Sequence, residues 1–453
     1  MAASKKKHSY FLDPFGCVKN QVDAENMMSR LNNAGWQCAG DAEQADVIIV
    51  NSCGFIESAK KESIDAVLQW RKFYPGKKIL LAGCLSQRYA KELPGLLPEA
   101  DGFIGVEEQE KIAEKVSVWK NSSADLQKQN GSTQIKTKTL TTGERPLLSL
   151  PGSAYVKISE GCNNNCSYCA IPLIRGSLVC RTVPDIVKEC RTLLDRGIKE
   201  LCIIGQDIGA YTKEEKKINH RLPELLKAIS ALNGNFWVRL LYIHPDHFLP
   251  EILDIMENDI RFLPYFDIPF QHASAKILHA MNRKGTKDNN LKLINTIRAK
   301  LPDAVIRSTF LLGFPGETDE DFDALLGFQE KANLDWLGCF TFSREEGTTA
   351  YSMKNRVSAK TAIMRKQAIE EKQAAITEKN MDRFTGKTLE VLIEEKIDSS
   401  EDAGTIWLGR LYCHAPDIDG CAVITGSKDN LQAGTIVKCK VTARRGFDLE
   451  VQI

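Results

Sequence analysis

Within GCNNNCSYCAIP (161–172) three cysteines, Cys162, Cys166 and Cys169, fall in eight residues with C-x3-C-x2-C spacing. A single loop of that length wraps one iron–sulfur cubane, each sulfur meeting a different iron, and leaves one iron without a protein thiolate. An open position on a metal is a substrate site, as at a catalytic zinc. Cys180 lies too far along the chain to complete the set. The competing reading is a zinc loop that borrows a distant His or Cys. Tyr168, beside the last cysteine, is placed to shield a cluster from solvent.

A second triad emerges from the apolar runs that precede its members. Cys17 lies just past SYFL (9–12), Cys53 just past DVIIV (46–50) and Cys84 just past KILLA (78–82). Short continuous apolar runs separated by helical patterns indicate a parallel sheet covered on both faces. The ends of parallel strands share one edge, where ligands bind in open α/β sheets, so the three thiols converge there. Gly16, Gly54 and Gly83 beside them let backbone approach a bulky group. The alternative is three ordinary core thiols. The eight other cysteines, among them Cys38, Cys190, Cys202 and Cys339, lack such placement and read as core or surface residues.

The elements that must carry these residues divide the chain. Residues 1–120 read as a parallel α/β domain, with GFIG (102–105) as a further strand. Its first helix is marked by Met27, Met28 and Leu31 and closed by Gly35. Residues 121–150 are polar, rich in Ser, Thr, Lys and Gln and aperiodic, and read as a linker. Alternation resumes over 151–383 with AYVKIS (154–159), ELCIIG (200–205), WVRLLYI (237–243), YFDIPF (265–270), AVIRSTFLLG (304–313) and LGCFTF (337–342). Helices separate these runs, one from Thr182 to Arg196 with Pro184 in its first turn. Six β/α repeats predict a partial (βα)6 barrel. A charged helix from Ala359 to Phe384 leads into residues 384–453, whose short strands and turn residues predict a small antiparallel β-barrel.

The chain carries a formal charge of +1, so no global excess selects a polyanionic partner. No apolar run has the length of a membrane-spanning helix, and MAASKKKHSYFLD lacks the apolar core of a secretory signal. Its SKKK reads as a solvated end. A cytoplasmic protein with no membrane partner is expected, in which the thiols serve metals or catalysis rather than disulfides.

The C-x3-C-x2-C loop after a strand resembles that of the radical S-adenosylmethionine (SAM) superfamily. The resemblance implies a [4Fe–4S] cluster on Cys162, Cys166 and Cys169 whose open iron is chelated by the amino and carboxylate groups of SAM. One electron then cleaves the sulfonium to a 5′-deoxyadenosyl radical. With the cysteine-bearing N-terminal domain and a final module of TRAM type, nearly the whole chain is similar to the methylthiotransferases. That family implies a second, auxiliary [4Fe–4S] cluster on Cys17, Cys53 and Cys84, again with one open iron.

GCVKNQVDAE (16–25), VNSCGFIESAKKESID (50–65), AGCLSQRY (82–89), YVKISEGCNNNCSYCAIPLIRG (155–176), GFPGETDEDF (313–322), SREEGTTAY (343–351) and APDIDG (415–420) are similar to one branch of the family. That branch methylthiolates the β-carbon of an aspartate in small-subunit ribosomal protein S-twelve, free or within the ribosomal subunit. Lys19–Asn20 and Val22–Asp23 separate it from tRNA-modifying relatives. Ala24 and Ser52 stand where the branch has Ser and Thr, and Val179–Cys180 departs from a more basic stretch; none is a cluster ligand. From residue 384 onward 8 Lys and Arg face 11 Asp and Glu, a net −3. Such a module suits a basic ribosomal protein better than tRNA phosphates.

The resemblance further implies two uses of SAM. One molecule methylates a sulfur on the open auxiliary iron, and another yields the radical that removes hydrogen from the aspartate β-carbon. A reductant such as flavodoxin or ferredoxin supplies electrons. Contacts to SAM are expected on loops after the six core strands. Gly205, Gln206 and Asp207 lie toward its amino group, and Gln271 follows the fourth strand. Arg307 pairs with the methionyl carboxylate if it points inward, and Gly313 and Gly316 pass close to adenosine. His244 and His272 read as satisfied polar residues. Other functions stay open: methylthiolation of a modified adenosine in tRNA, a two-cluster iron–sulfur electron carrier, and a zinc-stabilised interaction protein.

Overall fold

Two parallel sheets and one small barrel make up the fold. The computed structural model describes residues 8–119, 144–212, 221–397, 405–425 and 431–453. Most of the polar segment 121–150, and SKKK, lie outside the described residues. The first sheet comprises β1 (Ser9–Pro14), β2 (Gln37–Cys38), β3 (Val47–Ser52), β4 (Lys78–Gly83) and β5 (Gly102–Gly105), in the order β2-β1-β3-β4-β5 and parallel throughout. All six residues of β3 are buried, as a strand covered by helices on both faces requires. The register sets Ser52 beside Gly83 and Pro14 beside Asn51. The residues that follow these pairs therefore leave the sheet on one edge.

In the second sheet β6 (Ser153–Lys157) precedes a short antiparallel pair, β7 (Ser159–Glu160) and β8 (Val179–Cys180). There follow β9 (Glu200–Ile204), β10 (Trp237–Leu240), β11 (Phe262–Asp267), β12 (Val305–Leu312) and β13 (Trp336–Thr341). The order β13-β12-β11-β10-β9-β6 is sequential and parallel, the open arc of six β/α units expected from the pattern. Thr182 caps the helix Val183–Asp195 by accepting from the Asp185 N–H, with Pro184 in the first turn. Two strands end earlier than their apolar runs. WVRLLYI stops at Leu240 because Tyr242 takes φ +69°, and YFDIPF is strand only to Asp267, before Pro269 and a Gln271 at φ +67°.

Strands β14 (Thr388–Ile397), β15 (Ile406–Arg410), β16 (Ala422–Ile424), β17 (Ile436–Arg445) and β18 (Asp448–Gln452) close into a barrel. The barrel is not wholly antiparallel, because β16 and β18 pair in parallel. β17 and β18 form a hairpin, so β18 runs in the direction of β16 and closes the barrel beside it. The module seats against the concave side of the second sheet. Trp237, Val305 and Trp336 open their strands and pack with Leu392, Leu411 and Cys413, so it sits at the end where the strands begin.

Charge fixes this seat. Glu200, fully buried, accepts from Arg239 at 2.7 Å and from Arg410 at 2.5 Å, and Arg410 also pairs with Glu394 at 2.7 Å. The acidic balance of the module is therefore partly internal: Glu394 holds Arg410, and Asp419 pairs with Arg307 at 2.6 Å. At the other boundary Arg145 is buried against Glu25 at 2.7 Å and also pairs with Glu189, so residues 144–150 are packed structure rather than free spacer. No helix among the described residues is long and apolar enough to cross a membrane.

Burial pushes the Glu200 carboxyl up, but Arg410 and Arg239 outweigh it and bring its pKa down to about 2. A depressed carboxylate contributes stability above its unfolded value of 4.5, and that stability is lost as pH falls toward 2. Glu200→Gln is expected to cost about 3–5 kcal/mol, because Arg239 loses its charged partner and Arg410 keeps only Glu394. It should also flatten the dependence of unfolding on pH between those values, as read by urea titration at a series of pH values.

Candidate functional site

The three N-terminal cysteines gather at the edge the register defines. Cys17 is the residue before the helix Val18–Asn33, Cys53 follows β3, and Cys84 follows β4. Their backbones crowd together. A Cβ on Gly16 would lie 3.2 Å from the Cys53 Cβ, and one on Gly54 would lie 2.8 Å from the Cys84 carbonyl carbon. Gly16 and Gly83 also take φ +95° and +98°, which a side chain resists. Asn20 links the set: its Nδ2 donates to the Ser52 carbonyl at 2.9 Å, and its Oδ1 accepts from the Cys84 thiol at 3.3 Å and the Cys17 thiol at 3.8 Å.

The second triad lies on the loop between β7 and the helix Ile171–Arg175. Gly161 enters it at φ +73°, where a Cβ would meet the Gly176 and Ser177 carbonyls. The Cys162 N–H donates to the Gly176 carbonyl at 3.2 Å, and the Cys169 N–H to the Cys166 carbonyl at 3.0 Å. Arg283 approaches the Cys166 sulfur at 3.9 Å. No three His, Cys, Asp or Glu side chains among the described residues converge as ligands of a single ion. Cubane thiolates bind different irons and stand apart.

The donor set fits clusters chemically. Burial pushes the Cys84 and Cys169 thiols up to about 12 and Cys162 to about 11, and raises Cys53. These thiols stay protonated near neutral pH unless metal displaces the proton, and a thiolate there needs compensating positive charge. Arg175 supplies it on the auxiliary side, donating to the Cys84 sulfur at 3.2 Å and to Asn20 Oδ1 at 2.6 Å.

Arg175 belongs to a buried charge cluster that the motifs did not reveal. It pairs with Asp23 at 2.9 Å and Glu160 at 2.8 Å, while Lys157 pairs with Glu160 at 2.7 Å and also with Asp23. Asp23 comes from the N-terminal domain and the other three from the barrel, so the cluster locks the two cysteine edges together. Cys84, Val106, Ala170 and Ile174 form an apolar patch beside it. Glu345, after β13, adds a latch by pairing with Lys60 at 3.0 Å and Arg88 at 2.6 Å. Between the domains lies a cavity of about 240 Å3 lined by Phe55, Tyr168, Gln271, Thr309, Phe342 and Glu345 among others. Residues from both cysteine loops thus share one chamber.

The residues expected near SAM are placed unevenly. Gln206 donates to Glu160 at 3.1 Å, but its Oε1 and the nearby Ser159 Oγ are buried without hydrogen-bond partners. A Cβ on Gly205 would lie 2.6 Å from that Ser159 Oγ. Two orphaned acceptors at one strand end fit an amine donor. Asp207 is already engaged, accepting from Asn164 at 2.9 Å, from the Gly209 and His244 N–H groups at 3.0 and 3.1 Å, and lying 2.6 Å from His247 Nδ1. Its carboxylate anchors the cysteine loop through Asn164.

Arg307 does lie on the concave face, yet it is paired with Asp419. Gly313 faces the helix Ala359–Asp382, where a Cβ would lie 2.5 Å from that of Ala362, and a Cβ on Gly316 meets nothing within 4 Å. These two glycines serve a turn and a helix contact. His244 Nδ1 accepts from the Asp246 N–H at 3.2 Å, as a satisfied polar residue does. His272 is only half satisfied: Nδ1 accepts from the Ser274 N–H at 3.0 Å, but the buried Nε2 makes no hydrogen bond and lies 3.6 Å from Glu317. The four branch-specific residues all face inward: Val22 is core, Asp23 and Asn20 belong to the network above, and Lys19 is 8% exposed with its ammonium 2.9 Å from the centre of the Tyr242 ring. Burial pushes the Lys19 pKa down to about 8, against the pull of Cys17 and Asp267.

Comparison with known proteins agrees with this organisation. Residues 9–105, which hold Cys17, Cys53 and Cys84, match the model described as uncharacterized protein family UPF0004. Residues 156–328 match the radical SAM superfamily, and 385–453 match the TRAM domain. The chain is 46% identical over 467 residues to a Treponema denticola protein named ribosomal protein uS12 methylthiotransferase RimO, covering 97% of this chain and 99% of that one. Proteins of the same name from Clostridioides difficile and Thermotoga maritima are 40% and 39% identical, covering 97% and 91% of this chain and 97% and 92% of their own. Among solved structures the chain is similar in fold to the radical SAM methyltransferase TsrM of Kitasatospora setae, with TM-score 0.56 and 14% identity over 76% of this chain and 74% of that one. It is similar also to the cobalamin-dependent radical enzyme OxsB, with TM-score 0.54 and 14% identity over 81% and 56%.

Replacing Arg175 by Met leaves Asp23 and Glu160 short of one cation in a site that water does not reach. The expected cost is about 3–5 kcal/mol in urea unfolding. Arg175→Lys should recover only part of it, because an ammonium cannot serve the carboxylates, Asn20 and Cys84 in one plane.

Proposed function

The chain belongs to the ribosomal protein uS12 methylthiotransferase RimO family within the radical SAM superfamily, and on that premise we infer how its own residues serve the reaction. It is a transferase of a sulfur-containing group that methylthiolates uS12, and we propose the β-carbon of an aspartate as the position modified. It uses SAM and a [4Fe–4S] cluster. We propose Cys162, Cys166 and Cys169 as the ligands of that cluster, and Cys17, Cys53 and Cys84 as the ligands of a second. When bound, these groups supply one-electron cleavage of the SAM sulfonium and a site that carries the sulfur to be inserted.

The observation that carries this reading is the shared chamber: one cavity is lined by Phe55, two residues past Cys53, and by Tyr168, beside Cys169. A carbon radical must meet its sulfur with little water near, and a largely apolar cavity flanked by the two cysteine loops suits that need. Asn20 and Arg175 orient the auxiliary thiolates and balance their charge. Gln206 Oε1 and Ser159 Oγ stand ready to accept from the SAM amino group. Asp207 holds the cysteine loop through Asn164. Lys60 and Arg88, gripping Glu345, keep the Cys53 and Cys84 segments over the barrel rim. A small electron-transfer protein such as flavodoxin or ferredoxin is the proposed reductant. The proposed setting is the cytoplasm, where uS12 is met free or within the small subunit.

Replacing Cys17, Cys53 and Cys84 together by Ala should leave about four irons per chain after anaerobic reconstitution. It should preserve reductive cleavage of SAM while abolishing the methylthio mass gain on uS12. Wild-type protein that modifies tRNA and leaves uS12 unchanged would falsify the substrate; a triple variant that still modifies uS12 would remove the second cluster from the reaction.

A further inference from the structure

Among the described residues, four buried cations and the partly buried Arg307 gather inside the barrel, and all but one have a partner. Lys157 and Arg175 pair with Asp23 and Glu160, Arg307 pairs with Asp419 at 2.6 Å, and Arg283 donates to the Pro269 carbonyl at 2.7 Å. Lys19 differs. It is 8% exposed, yet among the described residues its ammonium makes no hydrogen bond or ion pair, and it rests on the face of Tyr242. A ring face attracts a cation but supplies no acceptor for its three N–H groups. Asp267, a barrel carboxylate that attracts Lys19, turns its oxygens to the Tyr242 N–H at 3.3 Å and toward Arg307 at 3.9 Å. Tyr242 itself is held at φ +69°, a left-handed conformation rare for a bulky residue and found where a site over-determines the backbone.

We propose that Lys19 binds the side-chain carboxylate of the substrate aspartate and so selects a protein acidic residue over a nucleoside. The assignment rests on the uS12 reading above and deepens it. In aspartate the reacting β-carbon is bonded directly to the carboxylate carbon, so a cation that fixes the carboxylate fixes the reacting carbon one bond away. A modified adenosine offers no anion at that distance from its reacting atom. The position also suits the chemistry. Lys19 lies on the first turn after Cys17, and its ammonium is directed to Tyr242, just past the C-terminal end of β10, where ligands meet β/α barrels. Cys17 attracts the Lys19 ammonium, but the hydrogen bond to an auxiliary sulfur comes from Arg175, at Cys84.

The test compares binding of uS12 carrying its native aspartate with uS12 carrying Asn at that residue, by fluorescence anisotropy with the reconstituted wild-type, Lys19→Met and Lys19→Arg chains. Iron content and the electron paramagnetic resonance spectrum of each chain are recorded alongside. The wild-type chain should prefer the Asp form by roughly 30-fold or more, the range for a buried charge pair that loses one partner. Lys19→Met should bind both forms alike with iron and spectrum unchanged, and Lys19→Arg should retain part of the preference. The assignment is overturned if the wild-type chain does not distinguish the two forms, if Lys19→Met keeps the preference, or if Lys19→Met loses iron, which would make Lys19 a support of the cluster. Failure of the family reading looks different: a wild-type chain that binds the Asp form selectively and transfers no methylthio group to it.

Discussion

Four buried charges between two domains, Asp23, Lys157, Glu160 and Arg175, are the interaction on which the rest of this structure depends. Removing each from water costs several kcal/mol, and only close reciprocal pairing offsets that cost. Apolar contact slides with little penalty, but a displaced ion pair leaves two unsatisfied charges in a low-dielectric site. The apolar patch at this boundary is small, comprising Cys84, Val106, Ala170 and Ile174. The ion cluster is therefore what specifies the mutual orientation of the sheets. Because Arg175 ends the short helix that follows Cys169 and also touches the Cys84 sulfur, that orientation sets one cysteine edge against the other.

The same device recurs where the third module joins. Glu200 draws Arg239 from the barrel and Arg410 from the module into one buried site, and Asp419 does so with Arg307. Each junction thus uses an acid and guanidiniums from different parts of the chain. Arg suits this role because its planar donors satisfy several acceptors at once. One consequence reaches function. Acids that look like an external footprint when counted along the module are in part internal clamps, so its net charge says less about a partner than the count implies.

Much of the fold was legible in local pattern. Continuous apolar runs of strand length, helices with Thr182 and Pro184 at the start, and turn-rich short strands at the end each express a local rule. The strand boundaries that misled were those ended by backbone conformation rather than by polarity, at Tyr242 and before Pro269. The cysteine positions were legible too, since strand ends in a parallel sheet share an edge whatever the side chains do. The SAM contacts were less so. Asp207 and Gly313 sit where the pattern of loops suggested, but Asp207 is engaged by Asn164 and His247, and Gly313 by the packing of Ala362.

The sequence by itself determined the number of β/α units, the two cysteine triads and the edge on which each lies, because those follow from residue type and short-range spacing. Only the tertiary structure decided which charges neutralise one another and which one is left over. Asp23 and Lys157 are 134 residues apart in the chain, and no period or motif relates them. Their pairing, and the absence of any such partner for Lys19 among the described residues, come from the loss of water at a boundary that exists only once the two sheets have docked.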